Sequence, residues 1–412
     1  MVSLVMLAIM AGCAAFLFLK GTLALGIAMV LNALIAGFVA MGYYERLAGL
    51  VIEYSPGIAV WAHMIAFLLL FILAFAILQA IVMTIGKDEK IDFGKLPEQI
   101  GRPVAGVLLG YVITGQLLLA VAMAPLPSQY PYPRFEQRNP DPSNPSKPLL
   151  NPDGFVAGLF GTVSKGSFSP LGEPRSFAVL RAGFVDQLHL NRLKIGQDVP
   201  MMTGGPVVQV PMEGGVWQPS EGLRDPEGRP VSAEPGKRLL LVRVNLRKNA
   251  LKDAGKFTLS QIRLISKSGS EAGPLAGAGE AAYPIGYVGE GGRFERKGLG
   301  EIITIDPSQV EGDTITMDVG FQVPTSLAPT LLEFKRNDVV QVPSIAAPED
   351  APQPIPFGGS APSGRSRRET QTRGGQPQDD EPASRSEGED RPRRGLSDTS
   401  RSIVGPGFDE GN

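Results

Sequence analysis

Thiols and imidazoles are nearly absent from this chain: Cys13 is the one cysteine, and His63 and His189 are the only histidines. A single thiol cannot form an internal disulfide, a CxxC redox pair or a cysteine-based zinc site. Net charge is missing too. Lys and Arg number 39 against 41 Asp and Glu, a balance of −2, which excludes a basic nucleic-acid-binding protein as the default reading and gives no general attraction to anionic lipid. No GxSxG elbow supplies a nucleophile, and no glycine-rich phosphate loop has the strand, lysine and helix context it needs. His189 in Asp186-Gln187-Leu188-His189 reads as structural, since so little of a triad surrounds it. No carboxylate pair stands out for acid–base work. The chain therefore reads as a non-enzyme without cofactor, metal, nucleic-acid partner or identifiable small-molecule substrate.

Glycine and proline are abundant instead, 50 and 36 of 412 residues, beside 43% hydrophobic residues. A mean hydropathy of +0.05 over such a mixture is an average of unlike segments. Four apolar runs come first, from Met1 to Leu19, Thr22 to Gly42, Ala59 to Ile85 and Pro103 to Pro125. Each matches the roughly 20 residues that cross a hydrocarbon core of about 30 Å. The first run lacks a basic region before it, so it reads as a span rather than a cleaved signal. Lys20 and the loop carrying Lys87, Lys90, Lys95 and Arg102 share one side. The positive-inside rule makes that side cytoplasmic, which places both termini outside and Tyr43 and Tyr44 in the interfacial aromatic belt.

Inside the runs, Asn32, His63, Gln79 and Gln116 are the polar members. They could line a proton or solute path, but amides more often hold helices together, and His63 lies where a ring can face water. Gly101, Gly106, Gly110 and Gly115 recur in the fourth run, and Gly106-Val107-Leu108-Leu109-Gly110 is a GxxxG that admits a close neighbouring helix.

Lys20-Gly21 between the first two runs, Phe67-Leu68-Leu69-Leu70-Phe71 in the third and the GxxxG opening the fourth make the segment 1–126 resemble the CvpA (colicin V production) family of bacterial inner-membrane proteins. The resemblance implies a non-enzymatic multi-pass protein of the inner membrane, tied to toxin production or export and to envelope physiology. It implies an anchor or assembly platform with membrane or envelope protein partners or further copies of itself; the rival reading is a small transporter or channel component built from oligomerised bundles.

After the runs, prolines crowd 127–153 and predict an extended, semi-rigid stalk or, alternatively, an ordered loop packed on the next domain. Asp153 could cap a short helix over Gly154 to Ser164, buried against that domain. From 154 to 345 the pattern is mainly β. Leu240, Val242, Val244 and Leu246 alternate with Leu241, Arg243, Asn245 and Arg247, and Ile315, Met317, Val319, Phe321 and Val323 alternate with Thr314, Thr316 and Asp318. Shorter strands fit Phe257 to Ile265, Gly300 to Ile305 and Leu331 to Val342, with Gly269 to Gly292 as a long mobile loop. An antiparallel sandwich is the expected form. Leu240 to Asn249, Gln261-Ile262-Arg263-Leu264, and Asp318 to Pro324 followed by Leu331-Leu332-Glu333-Phe334 resemble, over about 238–342, bacterial immunoglobulin-like accessory domains, which implies binding or spacing. Residues 346–412, with nine Arg, no Lys, twelve Asp and Glu and nine Pro, predict a disordered tail. The fold class expected is thus a membrane α-helical bundle of four transmembrane helices, a sandwich-like extracytoplasmic domain and a disordered tail.

Overall fold

A computed structural model describes residues 2–85, 93–165, 175–194, 201–202, 207–219, 223–269, 273, 275–305 and 312–357. Lys87 and Lys90, residues 270–272 and 274 near the start of the glycine-rich stretch, and the tail from 358 onward lie outside the described residues.

Four helices open the chain: α1 (Val2–Lys20), α2 (Leu23–Tyr54), α3 (Ala59–Ile85) and α4 (Lys95–Met123). All four are long and apolar enough to cross a membrane. α3 coincides with its apolar run, whereas α2 and α4 outrun theirs at one end. Thr22 starts α2 by accepting from Leu25 N–H at 3.2 Å, and Glu98 of α4 accepts from Leu23 N–H at 3.1 Å. A carboxylate at the exposed amides of a helix start is electrostatically favoured, so the first turns of α4 hold the start of α2. α4 is the most enclosed of the four, lying between α1 and α2. Leu69, Ile72, Leu73 and Ile77 of α3 stand exposed, as expected for a helix that faces lipid. Tyr44, by contrast, is buried rather than in an interfacial belt, because its ring packs among Phe67, Phe184 and His63.

The proline-rich segment is not a stalk. It folds back over the end of α4, where Arg192 Nη1 and Nη2 donate to the carbonyls of Leu126 and Tyr130, each at 2.9 Å. Prolines leave carbonyls without the amides that would pair them in regular structure; here one buried arginine collects them. Helix α5 (Pro152–Ser164) follows, with Asn151 rather than Asp153 at its cap position. Asp153 is buried and accepts from Tyr132 Oη. α5 packs on α4 and α2 instead of on the next domain: a Cβ at Gly115 would meet Pro152 O at 2.5 Å, and the Phe160 ring lies tilted against Phe38 with centroids 5.5 Å apart. Two short helices, α6 (Phe177–Leu180) and α7 (Phe184–Leu190), lead to the β-domain.

That domain holds β1 (Val208–Gln209), β2 (Val216–Trp217), β3 (Lys237–Arg247), β4 (Lys256–Thr258), β5 (Ile262–Lys267), β6 (Gly279–Ala282), β7 (Pro284–Val288), β8 (Phe294–Arg296), β9 (Ile302–Thr304), β10 (Thr314–Pro324), β11 (Ala328–Phe334) and β12 (Asp338–Gln341). They form antiparallel sheets: β1-β3-β10-β7-β8 with β2 also on β3, then β12-β11-β5-β6, and the pair β4-β9. Val242 and Val244, Met317 and Phe321, Leu264, Leu332 and Val340 contribute to one core shared by the sheets. The run from Leu331 to Val342 is a hairpin rather than one strand, turning at Lys335 and Arg336 with φ of 47° and 67°. Phe257 to Ile265 is broken by a 3-10 turn at Leu259–Gln261, and β6 and β7 occupy part of the stretch expected as a mobile loop.

The second face of β3 is covered as well. Asp318 is fully buried, held by Arg243 Nε and Nη2 at 2.8 Å each and by Ile355 N–H at 2.6 Å. The cover is residues 346–357, which were expected to begin the tail: Ala346 N–H donates to Val216 O, and Phe357 N–H to Val288 O. Twelve described residues past the expected boundary at 345 thus lie over a buried carboxylate and beside the Trp217 cluster.

Candidate functional site

The densest chemistry lies where the helices meet the β-domain. Arg181 ends α6 and is buried. Its Nε donates to Glu45 Oε1 of α2 at 2.6 Å, and its Nη1 donates to Glu333 Oε2 of β11 at 2.9 Å and to Arg336 O at 2.8 Å. One guanidinium therefore binds a carboxylate from each side of the junction. Glu333 also accepts from Arg263 Nη2 at 2.7 Å and from Gln187 Nε2; Arg263 faces it across the β5–β11 ladder. Tyr44 Oη donates to Glu45 Oε1 at 2.7 Å.

The hairpin tip completes the contact. Left-handed backbone at Lys335 and Arg336, a conformation that costs on the order of 1–3 kcal/mol per non-glycine residue, turns Arg336 toward the bundle, where its Nη1 stands 3.4 Å from Met123 O at the end of α4. Burial, with Arg181 adding to it, holds the Arg336 guanidinium below the usual arginine range. Arg181, between its carboxylates, is held above it in spite of burial. Arg192 beneath them is lowered to about 9 by burial and by Arg336. A second group secures the folded-back loop: Arg134 Nε meets Asp186 Oδ1 at 2.5 Å, and Arg134 Nη1 meets Tyr132 Oη at 3.0 Å. His189 lies tilted against Tyr132 with ring centroids 5.0 Å apart and is pushed down to about 3, first by burial, then by Arg192 and Arg134; it stands neutral at ordinary pH.

The residues singled out from sequence lie elsewhere. A Cβ at Gly106 would meet Ala14 Cα of α1 at 2.4 Å, and one at Gly110 would meet Met10 Cα at 2.6 Å. Gly101 stands against Leu23, and Gly115 against Pro152. Asn32 Nδ2 donates to Gln79 Oε1 at 3.3 Å. Gln116 lies against Gly37. His63 is buried beside the Tyr44 ring at 5.8 Å instead of facing water, roughly 24 Å along α3 from Gln79 at about 1.5 Å per residue. The four polar side chains are thus brought together only as the Asn32–Gln79 pair.

Glu45, Arg181 and Arg336 are not singled out by any sequence pattern, and Arg263 and Glu333 enter the sequence reading only as part of the immunoglobulin-like resemblance, with no role assigned. The signal available is the opposite charge of Arg263 and Glu333, each flanked by apolar residues in its strand. Among the described residues no cluster of three His, Cys, Asp or Glu could hold a metal. Two open hollows of about 430 Å³ each lie on the β-domain, one lined by Leu223, Val231 and Thr325, the other by Pro329, Gln341 and Ser344. The chain matches no family model, no curated protein and no solved structure.

Proposed function

We propose that this chain is a CvpA-like integral inner-membrane protein whose four helices hold a sandwich-like β-domain in fixed orientation outside the cytoplasm, as an anchor and assembly platform in envelope physiology or toxin production and export. The observation that carries this reading is Arg181, buried and ion-paired at once to Glu45 of α2 and Glu333 of β11. A domain on a free tether samples all orientations; a buried ion network fixes which face meets the bilayer and which is left for envelope protein partners or further copies. The sharing of one apolar core by the sheets supports the sandwich-like form.

A transporter built from oligomerised bundles is the second reading, favoured by the buried, unpartnered His63 Nδ1 and Gln116 Oε1. One experiment separates the two. In a deletion strain assayed for toxin export and envelope sensitivity, Arg181→Gln should fail to complement, while a variant with Asn32, His63, Gln79 and Gln116 replaced by Ala or Leu should complement. The opposite pattern sinks the platform. A reporter active only outside the cytoplasm, fused after Pro125, should be active; an inactive one overturns the orientation.

A further inference from the structure

α5 and the loop before it sit too low on the bundle to belong to a domain outside the membrane. Gly26 of α2 stands against Ala105 of α4, and Gly37 against Gln116, so the two helices run parallel in a constant register that sets Tyr44 level with Met123. The first charged side chains of α2, Glu45 and Arg46, stand there, Glu45 with its arginine partner, and depth is measured from that level. Measured down α4 from Met123 at about 1.5 Å per residue, Gly115 is about 12 Å below that level and Tyr111 about 18 Å below it. The middle of a core of about 30 Å lies about 15 Å down. Pro152 packs at the level of Gly115, and Tyr111 Oη donates to Leu150 O at 2.9 Å.

The segment is built for that depth. Leu149, Leu150 and Phe155 are 47%, 60% and 45% exposed, and from 149 to 164 the only charged residue is Asp153, which is buried against Tyr132 Oη. In hydrocarbon, backbone polar groups need internal partners. Asn151 N–H donates to Pro148 O at 3.0 Å, Phe155 N–H to Asn151 O at 2.9 Å, and Pro145, Pro148 and Pro152 have no N–H to satisfy. Leu150 and Asn151 turn the chain with φ of 60° and 47°, a left-handed reversal without glycine that the Tyr111 hydrogen bond and the packing on Gly115 hold in place.

We infer that residues 149–164 form a re-entrant element that reaches about the middle of the hydrocarbon core and meets lipid acyl chains through Leu149, Leu150 and Phe155. The inference rests on the proposed membrane insertion of the four helices. It can be tested on the full chain with Cys13→Ser, reconstituted in phosphatidylethanolamine–phosphatidylglycerol vesicles and spin-labelled at one introduced cysteine: Leu150→Cys, Leu149→Cys, Leu73→Cys on α3 as the lipid-facing reference, or Arg229→Cys as the aqueous one. Collision with oxygen reports hydrocarbon, and collision with a nickel chelate reports water. The oxygen-to-nickel ratio at both leucines of the loop should fall within about twofold of that at Leu73, near the middle of a core of about 30 Å. A nickel-dominated signal at both loop positions with an oxygen-dominated one at Leu73 overturns the re-entrant element and leaves the membrane helices standing; nickel dominance at Leu73 as well overturns both.

Discussion

Arg181 Nε stands 2.6 Å from Glu45 Oε1 across 136 positions of sequence, an ion pair that ties α2 to the helices leading into the β-domain. Glu45 keeps a quarter of its side chain exposed, whereas Glu333 on the other arm is buried. Removing one member of a buried pair strands its partners' charges, at a cost of roughly 3–5 kcal/mol.

Arg181→Gln should therefore loosen the junction without melting the β-core. Hydrogen exchange in detergent or vesicles should rise at 184–190 and at the hairpin 331–340, while 240–246 and 315–321 keep their protection. Unchanged exchange at the hairpin would show that the network contributes nothing to docking.

Gly106 and Gly12 are both helical glycines in the bundle, with opposite expected responses to substitution. A Cβ at Gly106 would strike the backbone of Ala14, while one at Gly12 has nothing within 4 Å. Gly106→Val should push α1 from α4, lower the thermal midpoint by the equivalent of about 1–3 kcal/mol and speed maleimide labelling of Cys13. Gly12→Ala should leave both unchanged. Equal effects from the two would show that the close approach of α1 and α4 has no energetic weight.

Asp338 gives the β-domain a defined acid response. Its carboxyl is pushed up from 3.8 to about 6, chiefly by burial, although it accepts from Val207 and Val208 N–H at 2.7 and 2.8 Å. The folded chain then binds a proton more tightly than the unfolded one, so this group's contribution declines as pH rises through about 4 to 6 and is constant above, a span of roughly 3 kcal/mol. Against wild type, Asp338→Asn should remove that decline from the pH dependence of the unfolding midpoint. Parallel profiles over pH 4 to 7 would refute the assignment.

The legible parts of this fold are those where one physical constraint acts alone. A helix that is apolar all round is written as one uninterrupted apolar run, and α3 matches its run from Ala59 to Ile85. Strand alternation marks β3 and β10 for the same reason. Where a second element covers a polar residue, composition misleads. Asp318 fits the solvent side of an alternating strand, yet it is fully buried under Arg243 and Ile355. The prolines of 127–153 state an extended backbone but not where it runs, and it is Arg192, 66 and 62 positions downstream of Leu126 and Tyr130, that gathers their carbonyls. Glu45 and Arg181 are hidden in the same way, since charges far apart in sequence declare their pairing only when the chain closes.

The ring sequence Phe38–Phe160–Phe177–Phe184–Tyr44 leaves α2 and returns to it, with successive centroids 5.5, 4.8, 5.1 and 6.3 Å apart. It runs beside Arg181 and encloses α5 between two points of the same helix. Tension applied to the β-domain is thereby divided: the peptide chain pulls on α4 at Met123, the arginine bridge pulls on α2 at Glu45, and the tilted and edge-on rings distribute the remainder over the side of α2. A pulling force thus meets several helices in parallel instead of extracting one of them lengthwise.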